Sequence, residues 1–412
     1  MRNLSVEQSA EILVQHASKP KRSEKAALLD AAGRVAARDI FARINQPPFN
    51  RSPLDGYAVL HDDIRNSSRD SPAVLRVTER IFAGAGAFPA GALNAGEAAL
   101  VTTGSPLPPG ATCVVRQEDT DGGEETVRVF SPVGEYENYC WEGEDVREGT
   151  LIARGGQRLN CAHIAVLAGQ GYTDAEVCER PRIGILSTGS ELVPAGQLLA
   201  PGKIYDSNGY YLALRVRQLG AQSFLSGSAD DDPEKLAAAI HGLLRACDMV
   251  ITTGGVASGA RDCVPAAGKA LGAQELFRGV DMKPGAPAMA LYKEDRLILC
   301  LSGNPFAAAA SFEVLGGPAV KKLAGDCAVF PKRIKGILAN SFSKKLFGKK
   351  NHIRRFVRGR AEGGEIYLLP GGDSPGIIAS MTECNCLADT PAHSFSLNAG
   401  DPVDAVLLED FT

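Results

Sequence analysis

The feature that most constrains this chain is the stretch from about Arg182 to Leu315. There, short apolar runs alternate with helical segments, and polar turns carrying glycine or asparagine join them. Ile183 to Leu186, Met249 to Thr252 and Leu297 to Leu301 read as buried strands. Asp206 or Ser207 caps a helix from Asn208 to Leu219 that Gly220 stops, Pro233 opens a helix to Ala246, and Pro305 opens another toward Leu315. Strand and helix in alternation predict a mostly parallel sheet covered by helices on both faces, with right-handed crossovers. In such sheets ligands bind beyond the carboxyl ends of the strands, so the residues just after each strand are the ones to inspect.

The rest of the chain reads differently. At 412 residues it has room for about two to four domains. Ser5 and Gln8 form a capping box ahead of Ala10, Ile12, Leu13 and His16, which predicts an opening amphipathic helix. A second helical stretch is expected over 23–37. From Pro47 to about Val133 short apolar runs are broken by Gly and Pro, a β-rich pattern. Asn160 caps a short helix, 161–168, closed by Gly169, and the opening helices are expected to pack with it. Beyond Phe330 the segments 354–360, 365–369 and 403–408 are basic and β-type. The expected fold class is therefore a multi-domain α/β protein with a central three-layer α/β domain (179–327). Around it lie a β-rich insert (46–133), a small helical linker domain (1–45 with 134–178) and a C-terminal all-β domain (328–412).

Composition excludes several functions. Lys and Arg total 44 against 48 Asp and Glu, a net charge of −4, so the chain lacks the basic surplus that holds a nucleic-acid backbone. The ten cysteines show no CxxC spacing, which argues for reduced thiols and a cytoplasmic protein. Cys384 and Cys386 are close, but two ligands do not complete a tetrahedral site. No apolar run reaches about 18 residues and the first residues lack a signal-peptide core, so neither a membrane span nor export is expected.

Four polar turns lie at the predicted sheet edge: 187–191 (STGSE), 205–208 (YDSN), 252–255 (TTGG) and 302–305 (SGNP). Glycine lets backbone amides approach an anion, and the helix starts favour negative charge, so a phosphorylated ligand suits this edge. Ser187, Thr188, Gly189, Asn208, Thr253, Gly254, Gly255, Ser302, Gly303 and Asn304 are the candidate binding residues. No GxxxxGK[ST] and no strand-following GxGxxG occurs, so neither a P-loop nor a dinucleotide fold is supported. Glu191, Asp206 and Asp262 sit at the same edge. Carboxylates beside a phosphate repel it unless a cation intervenes, which points to Mg²⁺.

These residues, with Pro47-Pro48-Phe49, Asp55-Gly56-Tyr57-Ala58, Gly254-Gly255-Val256 ending in Asp262, and Lys283-Pro284-Gly285, resemble the molybdopterin molybdenumtransferase family of MoeA and the gephyrin E domain. The match runs in order through essentially the whole chain. The resemblance implies a homodimer of four-domain subunits that inserts molybdate into adenylylated molybdopterin with Mg²⁺, releasing AMP. It implies catalytic roles for Asp55, Glu191, Asp262 and Lys283, with Glu191 and Asp262 as metal ligands. Thr103, Asp206, Ser258, Pro287, Arg358 and Ser374 join the substrate-binding set. It also implies that Asp55 reaches the cleft from the partner subunit, so that the cleft is composite, and that the adenylyltransferase making the substrate is a transient partner.

The departures are as informative. The family repeats its lysine where this chain has Ala286, and has Ser where Ala257 precedes Ser258. The basic stretch before Gly143-Glu144-Asp145 reads Cys140-Trp141-Glu142, and the late Gln-Gly-Ser turn reads Asp373-Ser374-Pro375. A charge-assisted hydrogen bond contributes about 1.5–3 kcal/mol, so one missing lysine weakens oxyanion binding by about ten- to a hundredfold. The alternative function is accordingly a carrier or scaffold for molybdopterin or finished cofactor that inserts no metal.

Overall fold

The computed structural model describes residues 3–18, 22–84, 86, 88–229, 232–256, 263–341, 353–392 and 397–408. Its centre is a six-stranded sheet in the order Gln222–Ala229, Arg182–Thr188, Met249–Thr253, Arg296–Leu301, Met289–Lys293, Gln274–Arg278. The first four strands are mutually parallel, and Met289–Lys293 runs antiparallel to both its neighbours. Leu186, Val250, Ile298 and Cys300 pack with the Pro233–Leu244 and Val264–Ala270 helices on one face. Ile185, Ile251 and Leu299 pack with the Asn208–Gln218 helix and the helical run that starts at Pro305 on the other. Full burial of the central strands on both faces is why they are continuous apolar runs rather than alternating ones.

The opening helix, Val6–His16, has the expected capping box, with the Gln8 amide donating to Ser5 Oγ at 3.1 Å. Its buried face does not meet the linker helix. Val6, Ala10 and Leu13 join the α/β core beside Leu297 and Phe312, not the hydrophobic cluster around the linker helix. The second expected helix is also corrected. Ser23–Ala27 is a strand paired antiparallel with Asp174–Cys178, and only Leu28–Ala31 is helical. Long-range pairing overrides the helical propensity of a Lys-Ala-Ala-Leu-Leu run. The linker helix, Cys161–Gly169, starts at its Asn160 cap but runs through Gly169. The left-handed turn falls instead at Gly171, φ +73°.

The insert is a five-stranded sheet in the order Cys113–Arg116, Gly56–Val59, Glu97–Val101, Ala73–Ile81, Thr126–Val129. Gly56 is required there, because a β-carbon would lie 2.0 Å from the Val115 carbonyl oxygen. The C-terminal strands close into a barrel-like ring, since Arg354–Glu362 pairs with both Glu365–Leu368 and Cys386–Thr390. Met282–Lys283, from the α/β segment, adds a parallel edge strand to that ring. Lys283 thus sits on a seam between two domains.

Candidate active site

Three parallel strands end side by side at Thr188, Thr253 and Leu301, and their side chains tie the following turns into one surface. The Thr188 hydroxyl donates to the Thr253 carbonyl at 3.2 Å, and the Thr253 hydroxyl to the Ser302 carbonyl at 2.9 Å. Asn208, first residue of its helix, donates Nδ2 to Thr253 Oγ1 at 3.0 Å and to the Gly303 carbonyl at 2.8 Å. One amide therefore bridges the second and third turns. Ser187 donates to Asp206 Oδ2 at 2.6 Å, while Asp206 Oδ1 accepts the Gly209 amide at 2.9 Å. Ser207 is the helix N-cap, and Asp206 just before it has both oxygens engaged inside the protein. The turns approach so closely that a β-carbon on Gly254, φ +100°, would sit 2.4 Å from the Thr188 carbonyl oxygen.

Glu191 is exposed, and its carboxylate folds back over the main chain at Gly189. A β-carbon there would lie 2.7 Å from both carboxylate oxygens. Lys203, which the sequence did not single out, reaches across to the Ser190 carbonyl at 2.5 Å and fastens this turn. Ser258 and Asp262, with Ala257, lie outside the described residues. Among the described residues no group of three His, Cys, Asp or Glu side chains converges as a metal site.

Lys283 is exposed, and the turn after it is held tightly. Gly285, φ +104°, packs so that a β-carbon would fall 2.0 Å from Ser311 Oγ, on the helix opened by Pro305. Ala286 and Pro287 are half-buried in that turn. The Phe306 amide, on the same helix, donates to the Pro375 carbonyl at 2.9 Å, which docks the 371–377 loop of the C-terminal domain against the α/β edge.

Arg358, expected in the substrate-binding set, holds the 371–377 loop. Its side chain is fully buried. The guanidinium donates to the carbonyls of Gly371, Ile377 and Ser374 and lies 4.0 Å from the Phe306 ring centroid. It is a positioning residue for the loop that carries Ser374. Cys384 lies in the core shared with the α/β domain and Cys386 in the barrel interior, where burial pushes their thiols up to about 11 and about 12, so both stay protonated at neutral pH.

Asp55 and Thr103 are brought together in the insert. Asp55 Oδ1 accepts the Thr103 amide at 2.6 Å and its hydroxyl at 2.8 Å, and these two bonds hold the carboxyl below its ordinary range. Among the described residues no hydrogen bond or ion pair joins this pair to the α/β edge of the same chain.

Comparison with known proteins agrees with this layout. The profile of the MoeA N-terminal region (domain I and II) matches residues 4–171, that of a probable molybdopterin binding domain 184–322, and that of the MoeA C-terminal region (domain IV) 344–408. The molybdopterin molybdenumtransferase of Staphylococcus epidermidis strain RP62A is 33% identical over 92% of this chain and 90% of its own length. That of Staphylococcus aureus strain Mu50 is 33% identical over 93% and 90%. A crystal structure of the molybdopterin biosynthesis MoeA protein of Pyrococcus horikoshii OT3 superposes with a TM-score of 0.83 at 27% identity, covering 99% of this chain and all of the other. The chain belongs to the molybdopterin molybdenumtransferase (MoeA) family.

Proposed function

We propose that this protein inserts molybdate into adenylylated molybdopterin and releases AMP, acting as a homodimer in the cytoplasm. The observation that carries the reading is the Asn208 bridge. It ties two glycine-bearing turns, at Thr253 and Gly303, to a helix start at one sheet edge, where main-chain approach and helix starts suit the phosphates of a pterin nucleotide.

The donor set at the edge fits Mg²⁺. Glu191 offers an exposed hard-oxygen ligand, and Mg²⁺ characteristically takes one or two carboxylates together with substrate phosphate and water. Asp262 is the second ligand in this reading. The ion supplies charge neutralisation on the phosphate that departs with AMP. Asp206 serves differently, because both its oxygens hold Ser187 and Gly209. Lys283 attracts the molybdate oxyanion, and the rigid Gly285 turn keeps it beside the cleft. Asp55, kept ionised by Thr103, approaches the nucleotide from the partner subunit, which completes a composite cleft.

Incubation with adenylylated molybdopterin, Mg²⁺ and molybdate, following AMP, tests the reaction. Release dependent on both molybdate and Mg²⁺ is expected. Tight nucleotide binding with no AMP above the protein-free control would refute insertion and leave the carrier reading, which Ala286 favours by removing a cation from the Lys283 turn.

A further inference from the structure

The chain passes from the opening helix into the linker, and later from the linker back into the α/β domain, along two adjacent segments. Ser23 pairs with Cys178, and the Glu179 amide donates to the Arg22 carbonyl at 3.1 Å. Two crossings side by side make a hinge, which by itself leaves the bodies it joins free to turn. The insert turns with the linker, because the buried Gln170 side chain accepts the Arg43 and Ile44 amides at 2.8 and 3.0 Å and donates to Gln46 at 3.2 Å. Arg158 stands to one side of the hinge, two strands over: Val35 accepts the Cys178 amide at 2.8 Å and in turn pairs with Arg158. The Arg158 guanidinium donates to the Gly33 carbonyl of the linker at 2.7 Å, and to the Leu219 carbonyl and Asp326 Oδ2 of the α/β domain at 3.2 Å each. The helix it meets there is closed without it, since the Gly220 and Ala221 amides donate to the Arg217 and Val216 carbonyls at 3.0 and 3.1 Å. Asp326, 8% exposed, is fixed through its other oxygen by the Ala328 amide at 2.9 Å. The fit is close: a β-carbon on Gly220, φ +92°, would lie 3.0 Å from Arg158 Nη1.

We propose that Arg158 is a positioning residue for the reaction: it braces the hinge, fixing the angle at which the linker and insert leave the α/β domain and so the place to which Asp55 is brought. This rests on the reading of the cleft given above, in which Asp55 serves the partner subunit. A guanidinium suits the task. Its planar fork donates in several directions at once, and its charge meets both the Asp326 carboxylate and the carbonyl end of the Asn208–Gln218 helix. That helix begins at the cleft with Asn208, so one side chain registers the support of the insert against the element that carries the nucleotide edge. A displacement of about 1 Å at a reacting group can cost about a hundredfold in rate, and the length of the insert magnifies any rotation at the hinge.

The test sets AMP release beside adenylylated-molybdopterin affinity and small-angle X-ray scattering, all on the full-length protein. Arg158→Gln is expected to lower kcat for AMP release by about tenfold or more while nucleotide affinity stays within about twofold, since the strand-end turns are untouched. Its scattering should show a broader distribution of interatomic distances, and Arg158→Lys, which keeps a charge for Asp326, should recover part of kcat. Asp326→Asn is expected to move kcat and scattering the same way by a smaller amount, because the two carbonyl contacts remain; this arm stands even if Arg158→Gln folds poorly. AMP release within about twofold of wild type in both Arg158→Gln and Asp326→Asn overturns the proposal while the reaction stands. A fall in nucleotide affinity as large as the fall in AMP release, with unchanged scattering, also overturns it, by reducing Arg158 to a local support of the Asn208–Gln218 helix. A wild type that releases no AMP removes the insertion reading, and scattering then decides the brace alone: profiles of both variants identical to wild type overturn it.

Discussion

Two helices start at the cleft, one at Asn208 and one at Pro305, and they are tied together deep in the protein by Glu313. This residue lies in a π-helical turn, Phe312–Gly316, that interrupts the second helix. Arg215 meets its carboxylate with a fork, Nε to Oε1 at 2.8 Å and Nη2 to Oε2 at 2.9 Å, and the Tyr211 hydroxyl donates to Oε1 at 2.8 Å. The arginine and glutamate side chains are 3% and 6% exposed. Glu313→Gln keeps the shape but removes the charge and turns one accepting oxygen into a donor facing a donor. Breaking a buried pair by neutralising one member costs about 3–5 kcal/mol, where a surface pair gives about 0–1. For a body the size of the α/β domain, each kcal/mol moves the melting temperature by about 2–4 °C, so a fall of about 6–20 °C is expected by calorimetry. The combined variant Arg215→Met with Glu313→Leu should recover most of that fall, since apolar replacement of both partners restores packing without a lone charge. A fall below about 2 °C in Glu313→Gln would refute the reasoning, and would place the pair in the class of surface contacts despite its burial.

Three further outcomes are expected. Thr103→Val removes the hydroxyl bond to Asp55 and should raise its depressed pKa, so the acid limb of AMP release moves to higher pH; a carbon-13 titration of Asp55 that does not move would contradict this. Glu191→Gln and Asp262→Asn should each abolish Mg²⁺-dependent AMP release with little change in melting temperature, and undiminished turnover in both would exclude them as metal ligands. Mixing Asp55→Asn chains with Asp262→Asn chains should restore part of the activity, because some heterodimers then contain one intact cleft; sedimentation of the protein only as a monomer at micromolar concentration would defeat that expectation.

Much of the cleft was legible because its signals are local. A buried strand ends in a glycine-bearing turn, and a helix start follows; this reading located Thr188, Thr253 and Asn208, which the structure then joins through hydrogen bonds. What escaped the sequence depends on pairing between distant segments. Ser23–Ala27 has helical propensity and becomes a strand only because Asp174–Cys178 lies beside it. The resemblance alone puts Arg358 in the substrate-binding set; that its guanidinium donates to three carbonyls of the 371–377 loop and lies over the Phe306 ring depends on packing between distant segments.

The division of labour in the cleft follows from that difference. The strand-end turns are built within one domain, from residues whose side chains are largely committed to one another, so the nucleotide binding proposed for them would be set locally. The Lys283 turn instead depends on two domains: Gly285 packs against Ser311, and the edge strand is completed by Arg354–Arg355. The 371–377 loop is held from the same side by Phe306 and Arg358. Substitutions that loosen the C-terminal barrel should therefore act on oxyanion binding before they act on nucleotide binding.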